Sequence, residues 1–278
     1  MGGGAVAPAR RVGAVVSRTR FVALIAFALL VLAGTLTDVP RTRGPRNPSL
    51  LAADFHVHAA PGDGLLPVWE IQREASRRGL DVVAITNHNH RLAIRIARGL
   101  GLVGDYPIVI DGQELTTPNF HMAAVGAEQV VDPWLSAVDA IAEIQRTGGV
   151  AIAAHPGADS WRVTSTDALL ALDGAEVAHP SMFDPETAAE IREFFDRVRR
   201  LNPNVAAIGS SDFHFGGPVG VCRTYVSVDD ASREGTLTAI KHGRTVAECG
   251  PPRYFGYGLS TWLATGALIA LGAAVLAR

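Results

Sequence analysis

The chain has 278 residues, 48% of them apolar, and a formal net charge of -2 at pH 7. This length and apolar content are enough to bury a core, which excludes disorder as the default state. The segment from Gly44 to Gly250 carries more Asp and Glu than Lys and Arg, which argues against a nucleic-acid-binding surface.

The N-terminal part of the chain predicts a membrane segment. Residues 1–20 form a basic lead, and the seventeen residues of 21–37 carry no charge. As a helix this run would be roughly 25 Å long, close to the thickness of a bilayer core. It is interpreted as a transmembrane helix or signal anchor, and a cleaved signal peptide is the competing interpretation. Residues 38–49 then form a linker rich in Pro and Arg.

A second uncharged run occupies the C-terminal part of the chain. Residues 256–277 would form a helix of about 33 Å, with Tyr254, Tyr257 and Trp262 at the positions of an interfacial belt. The alternative for both runs is a buried core helix. The arginines that flank the first run favour both termini inside the cell. We expect a protein of a bacterial cell membrane, with the lipid bilayer as a partner and the middle domain extracytoplasmic.

Residues 50–250 alternate strand and helix patterns and predict one α/β domain with a largely parallel sheet, open or closed into a barrel. Helices are predicted at Pro67–Arg78, from His90 to Arg98, and at Pro133–Arg146, Pro185–Leu201 and Ala231–His242. Strands are predicted at Leu51–His56, Asp81–Thr86, Ile108–Gly112, His121–Gly126, Val150–His155, Ala175–Ala178, Val205–Gly209 and Thr224–Val228.

Metal-ligating side chains follow these predicted strands. His56 and His58 alternate along an extended segment, so they can point to one face. Others lie where further strands end: His88, Glu114, His155, Asp212 and His214. The carboxyl ends of strands meet at one edge of a barrel or open sheet. Imidazoles and carboxylates are ligands for Zn, Mn or Fe, and a set larger than one ion accepts predicts a multinuclear site with an activated hydroxide.

Six ordered motifs carry a resemblance to a known family. They are DFHVH followed by GDG, AITNHN, GQE, HMAAVG, AHPG and SSDFH. Together they resemble the signature of the PHP (polymerase and histidinol phosphatase) family of metal-dependent phosphoesterases. The resemblance implies a distorted (β/α)7 barrel with two or three divalent ions at its carboxyl end. It assigns His56, His58 and Asp212 to one ion, Asp63 and His88 to a second, His121, His155 and His214 to a third, and a bridging role to Glu114.

The sequence departs from the family pattern in its second motif, which usually reads Thr-Asp-His-Asp. Here Asn87 and Asn89 flank His88, so two carboxylates are missing. Their loss is expected to weaken support of the ligands and to alter metal preference. Gly62 also replaces the usual Ser. The NHNH motif and the apolar terminal segments look closest to those of the membrane-associated branch of the family named for carbaryl hydrolase.

Four further residues are candidates for roles near the predicted site. His179 and Arg223 are expected to contact substrate, Arg223 because its guanidinium could bind a phosphate. Cys222 and Cys249 are the two cysteines, and they could pair outside the cytoplasm. The activated water is expected nearest to His56, Asp212 and His214.

Three functions remain open at this point. The first is a membrane-anchored phosphoesterase that hydrolyses a small-molecule ester. The second uses the same metal site to cut carbamate, amide or carboxyl-ester bonds. The third is a non-catalytic sensor that holds a ligand at the metal site. Fold-level kinship does not choose among these substrates.

Overall fold

A computed structural model of the protein describes Ile25 and residues 44–45, 47–157, 160–161, 164–215 and 218–250. Apart from Ile25, the two predicted membrane segments, 21–37 and 256–277, lie outside these residues, as does the basic lead. No helix within the described ranges is long and apolar enough to cross a bilayer.

The described residues form one nine-stranded sheet, in the order β7-β6-β5-β4-β3-β2-β1-β8-β9. The strands are β1 Leu50–Val57, β2 Val82–Ile85, β3 Ile108–Thr116, β4 His121–Val125, β5 Val150–Ala153, β6 Gly174–Ala178, β7 Ala206–Gly209, β8 Cys222–Ser227 and β9 Thr245–Cys249. The eight predicted strands are all present. Strand β9 was not predicted.

The barrel-like α/β fold agrees with the prediction, but its strand count and directions differ. Nine strands replace the expected seven, and β4 and β8 run antiparallel to both of their neighbours. Between β3 and β4 only residues 117–120 connect the strands. A parallel pair needs a crossover of a dozen or more residues, so this short connection forces an antiparallel hairpin.

Helices cover the sheet. They are α1 Val68–Arg77, α2 Leu92–Gly99, α3 Ala137–Arg146, α4 Thr166–Ala171, α5 Pro185–Leu201 and α6 Arg233–Lys241, with a 3₁₀ turn at Pro180–Phe183. Helix α5 has the predicted bounds and begins after Asp184, whose carboxylate accepts from the amide of Thr187. Helix α3 begins later than predicted, because Ser136 caps it by accepting from the Asp139 amide.

The alternation of side chains along the strands separates two packing faces. Leu51, Ala53 and Phe55 of β1 pack with inward residues of other strands, such as Ile110 and Ile208, in one buried cluster. Residues of the opposite face pack under the helices in two further clusters. Leu237, Ala239 and Ile240 of α6 join the inner cluster, so the sheet and this helix enclose one core, and the strand ends lie in a common rim.

The first and seventh strands approach each other and nearly close the barrel. Past the end of β7, the carbonyl of Phe213 accepts from the amide of His58, at 2.9 Å. At Gly209, the last residue of β7, the backbone bonds to a side chain of β8 and not to the backbone of a neighbouring strand. The Thr224 hydroxyl accepts from the Gly209 amide at 2.8 Å and donates to its carbonyl at 2.9 Å. A Cβ on Gly209 would lie 2.2 Å from the Arg223 carbonyl oxygen, so glycine is required at this close approach.

Strands β8 and β9 are also joined covalently. Cys222 and Cys249 are paired in the antiparallel register and form a disulfide bond. The sequence left this pairing open. The bond ties the edge strand β9 to the rest of the sheet.

The Thr224 contact makes a stability prediction. Thr224→Val keeps the shape of the side chain but removes both hydrogen bonds to the fully buried seam. We expect a loss of about 2 kcal/mol in the free energy of unfolding, because the Gly209 amide and carbonyl lose their partner. Urea unfolding measures this. Thr224→Ser keeps the hydroxyl and should lose clearly less; equal losses for the two variants would contradict the role of the hydroxyl.

Candidate metal centre

The nine predicted ligand positions converge at one rim of the barrel. They form three groups in which one ligand atom from each residue lies within 4.8 Å of the others. The Asp63 group contains His58, Asp63, His88 and His214. The Asp212 group contains His56, His58, Glu114 and Asp212, and the His121 group contains Glu114, His121 and His155.

Glu114 lies at the centre of this arrangement. Its side chain is fully buried, and five imidazoles surround its two oxygens. Oε2 is 3.2 Å from His56 Nε2, 3.3 Å from His58 Nε2 and 2.7 Å from His88 Nδ1. Oε1 is 2.8 Å from His121 Nδ1 and 3.2 Å from His155 Nε2. Each carboxylate oxygen therefore faces a different set of imidazoles, which is the arrangement that a bridging ligand needs.

The Asp212 group has the spacing of a coordination sphere. The four distances from His56 Nε2 and His58 Nε2 to Glu114 Oε2 and Asp212 Oδ1 are all 3.2–3.3 Å. Ligands at about 2.0–2.1 Å from a tetrahedral Zn²⁺ lie about 3.3 Å apart. All four atoms are buried, and none makes a hydrogen bond of acceptable geometry. Four unsatisfied buried atoms facing one point fit a cation.

The Asp63 group differs from the grouping implied by the family resemblance. Asp63 Oδ2 is 3.1 Å from His58 Nδ1, 3.2 Å from His88 Nε2 and 3.4 Å from His214 Nε2. His214 was expected to share an ion with His121 and His155, and the structure places it here instead. The chain after β7 pairs with the end of β1, which stacks the His214 ring on His58 at 3.9 Å between centroids.

The two asparagines that depart from the family pattern support this group. Asn87 donates from its amide to Asp63 Oδ1 at 3.0 Å and to the Ala59 carbonyl at 2.6 Å. Asn89 exchanges two hydrogen bonds with the backbone of Thr116, at the end of β3. The Thr116 hydroxyl in turn contacts His88 Nδ1. Neutral amides thus position the ligands without adding negative charge.

The His121 group uses the antiparallel strand. Because β4 runs opposite to β3, its first residue, His121, lies at the rim beside the carboxyl end of β3. His155 follows β5, the next strand. The backbone of His155 has a φ of +26° and that of Asp212 a φ of +46°, in the left-handed region that residues other than glycine rarely adopt. Such strain concentrates at functional sites, where surrounding contacts hold it.

Two fully buried carboxylates behind the ligands were not predicted. Asp54 accepts from the amides of Ser211, Gly220 and His56, at 3.0, 2.7 and 3.3 Å. Glu176 lies 2.9 Å from His56 Nδ1 and accepts from the amide of His155 at 2.6 Å. A charged residue inside an otherwise apolar strand was the available signal for Glu176, which β6 presents in the sequence GAEVA.

Electrostatics keeps the carboxylates ionised. Burial alone would raise the pKa of Glu114 and of Asp212, but the surrounding imidazoles hold the pKa of both well below the usual range. Burial would lower the pKa of His58, but the neighbouring carboxylates of Asp212, Asp63 and Glu114 raise it to about 10. The pKa of His56 is likewise raised, against burial, by Asp212, Glu114 and Glu176. Without metal, protons therefore balance the carboxylates.

The two predicted substrate contacts are placed differently. The Arg223 guanidinium donates to the carbonyls of Gly220 and Arg78. Thr224, the next residue of β8, points into the barrel. Because side chains alternate along a strand, Arg223 lies on the outer face, away from the ligands. The contacts of Arg223 therefore give the substrate prediction no support. His179 Nε2, by contrast, lies 3.5 Å from Asp212 Oδ2.

An open cleft adjoins the His121 group. It has a volume of about 390 Å³, and His121, His155, His179 and Asp212 form its metal-facing wall. The rest of its described lining is Thr117, Gly157, Ser160, Ser181, Thr187 and Glu190. No Lys or Arg is among these lining residues.

Comparison with known proteins gives the fold. No model of a known protein family matches the chain. An uncharacterised protein of Methanocaldococcus jannaschii is 27% identical over 140 residues, which are 46% of this chain and 81% of that relative.

Two solved structures are similar over most of the chain. A two-domain protein of Bacteroides vulgatus, described as containing a predicted PHP-like metal-dependent phosphoesterase, has a TM-score of 0.55 at 23% identity. The match covers 76% of this chain and 68% of that one. PsfC from Pseudomonas syringae has a TM-score of 0.52 at 17% identity, over 81% and 99% of the two chains. The protein thus combines a fold shared with a PHP-like phosphoesterase and a candidate His, Asp and Glu metal centre.

The raised histidine pKa values predict pH-dependent metal affinity. A metal binds neutral imidazole, so at pH 7 it must displace the protons of His56 and His58. Affinity should rise with pH and fall as pH drops, by about tenfold per pH unit for each proton displaced. Calorimetry of metal binding in buffers of different ionisation enthalpy counts the released protons. Binding with no proton release, or with equal affinity at about pH 6 and pH 8, would contradict this.

Proposed function

We propose that the protein is a metal-dependent hydrolase, most specifically a phosphoesterase of the PHP type that holds two or three divalent ions of Zn, Mn or Fe. The observation that carries the proposal is the pair of ligand groups on the two oxygens of Glu114. Two cations that share one carboxylate lie close enough to act on one substrate. The motif resemblance and the fold comparison support the same class.

The bound ions would supply a hydroxide nucleophile and balance the charge of the ester oxygens. The protein's own residues would do the rest. Glu114 and the imidazoles around it hold the ions at a fixed separation. The wall of hydroxyl-bearing residues opposite the ions accommodates a polar substrate group. The ions would also attract the negative charge of a phosphate group.

A serine nucleophile is the alternative that the geometry must be tested against. The Ser181 hydroxyl is 2.8 Å from His179 Nδ1, and His179 Nε2 faces Asp212. However, the Ser181 amide donates to the same Nδ1 at 3.2 Å, so it competes with the hydroxyl for the one Nδ1 lone pair, and this contact directs the ring N–H to Nε2. We propose that this Nε2–H donates to an oxygen at the metal centre. A substrate oxygen bound there would make the contact that the sequence predicted for His179.

The finer parts of the proposal concern substrate and location. A phosphate ester is favoured by the motif set, and a carbamate, amide or carboxyl ester is the second candidate because the same ions can activate either.

Membrane attachment through residues 21–37 and 256–277, with the domain outside the cytoplasm, belongs to the proposal and rests on the composition of these segments alone.

Removing ligands should abolish hydrolysis. We expect the double variant with His56→Ala and Asp212→Ala to lose at least a thousandfold in kcat/KM on a panel of phosphate monoesters and diesters with Zn, Mn or Fe added. Carbamate and carboxyl esters in the same panel separate the two substrate classes. His242→Ala is the control, since His242 is exposed and bonds only locally to the Thr238 carbonyl. A double variant that retains wild-type turnover would rule out the metal mechanism.

Variants at His179 and Ser181 distinguish the two nucleophiles. A metal-held hydroxide predicts that Ser181→Ala keeps activity within about threefold, because the amide contact to His179 remains. His179→Leu removes the donor and should lower kcat about tenfold or more, whereas His179→Gln keeps an N–H near the position of Nε2 and should recover much of it. Steady-state kinetics with metal content measured in parallel provides the test. Complete loss in Ser181→Ala would point to the serine.

A further inference from the structure

Glu176 is a buried carboxylate that contacts two of the candidate ligands without belonging to any ligand group. Its side chain is fully buried on β6. Oε1 lies 2.9 Å from His56 Nδ1, and Oε2 accepts from the backbone amide of His155 at 2.6 Å. Both oxygens are thus used, and neither is directed at the space between the ligand atoms.

The contact with His56 determines which of its nitrogens faces the cation. An ionised carboxylate can only accept, so His56 Nδ1 must carry the proton that it shares with Glu176. The lone pair is then on Nε2, which faces Glu114 and Asp212 at 3.2 and 3.3 Å. A carboxylate that fixes the tautomer of a ligating imidazole in this way also raises its basicity.

The contact with His155 holds a strained backbone. His155 has a left-handed φ of +26°, which places its ring beside Glu114 Oε1. The 2.6 Å hydrogen bond from its amide is accepted by the fully buried Glu176 carboxylate, and charge-assisted hydrogen bonds of this kind are the stronger ones. Without it, the turn after β5 would relax and the ring would move.

These two ligands belong to different groups. His56 is in the Asp212 group, on the Oε2 side of Glu114, and His155 is in the His121 group, on the Oε1 side. Glu114 is a member of both groups. Glu176 is a member of neither, but it contacts one member of each, His56 and His155. We propose that Glu176 is a positioning residue that orients His56 and His155 together and so couples the filling of the two metal positions that share Glu114. This inference rests on the proposed metal site.

Glu176→Gln is the sharpest variant, because it changes charge and hydrogen-bonding capacity but hardly changes size. Both partners of Glu176 are donors, and glutamine has one accepting oxygen. It can satisfy His155 or His56 but not both. If its NH₂ group faces His56, the imidazole must accept at Nδ1, and the proton then occupies Nε2 where the cation should bind.

The experiment is a calorimetric titration of the chelator-treated full chain with Zn²⁺ or Mn²⁺, with bound metal counted by elemental analysis. Wild type is expected to fill the two positions together. Glu176→Gln should bind at least one ion 10–100-fold more weakly and fill the positions in separate steps. Glu70→Gln is the matched control: it makes the same change at a glutamate that is also buried, on α1 and outside the ligand groups, and it should titrate like wild type.

Each outcome bears on the inference. Wild-type affinity and stoichiometry in Glu176→Gln, or equal weakening in Glu70→Gln, would overturn it, as would a wild type that binds no metal. If wild type binds two ions but hydrolyses no ester, the proposed function fails and the role of Glu176 stands. Should the variant not fold, ¹⁵N NMR of the zinc-loaded wild type decides: His56 must show a protonated Nδ1, and an unprotonated Nδ1 refutes the inference.

Discussion

The burial of one carboxylate among five imidazoles is the constraint on which the rest of this structure depends. Glu114 has no exposure to solvent, and an isolated charge in such a position would cost several kcal/mol. Its charge is retained only because imidazoles from four different strand ends or loops approach it. Two of them, His56 and His58, have raised pKa values and so carry protons when no metal is bound. A cation can replace these protons and satisfy the same oxygens at lower electrostatic cost.

The barrel-like closure provides that approach. Ligands on β1 and after β7 become neighbours only because the sheet curls until these two strands meet. Asp54 secures this junction, since its carboxylate accepts from the amides of Ser211 and Gly220, more than 150 residues along the chain. Burial raises the pKa of Asp54 to about 6, and the hydrogen bonds from these amides oppose that rise. The contacts that support the site are therefore the same contacts that close the fold.

The sequence predicted which side chains meet at the rim better than it predicted how they group. His56, His58 and Asp212 stand at strand ends in recognisable motifs, and parallel strands bring such ends together whatever the details of the sheet. The grouping of His214 depended on which strands meet at closure, and local patterns carry no information about that contact. The substrate prediction for Arg223 finds no support for a related reason: Arg223 is close to His214 along the chain, but alternation along β8 turns its side chain outward. Strand β9 was missed because one short edge strand has little periodicity.

The supporting carboxylates illustrate a further limit of sequence reasoning. Glu176 bonds to His56 across 120 positions, and Asp54 bonds to Gly220 across 166. A motif records residues that are close in the chain, whereas these contacts exist only after the sheet has formed. What a sequence does show is an acid inside an apolar strand, as in GAEVA of β6. Such an acid must be paired in the folded state, and in a sheet whose rim gathers imidazoles the partner is predictable in kind.

The candidate metal centre is asymmetric in the side chains that it offers. The Asp63 group offers three imidazoles and one carboxylate, whereas the Asp212 group offers two of each. Nitrogen-rich sites suit Zn and Fe, and oxygen-rich sites suit Mn. The amides of Asn87 and Asn89 keep the hydrogen bonds that position Asp63 and Thr116, so geometry is preserved while negative charge is reduced. The two groups therefore differ in the balance of nitrogen and oxygen that they offer, and the asparagines position side chains beside one of them without joining either.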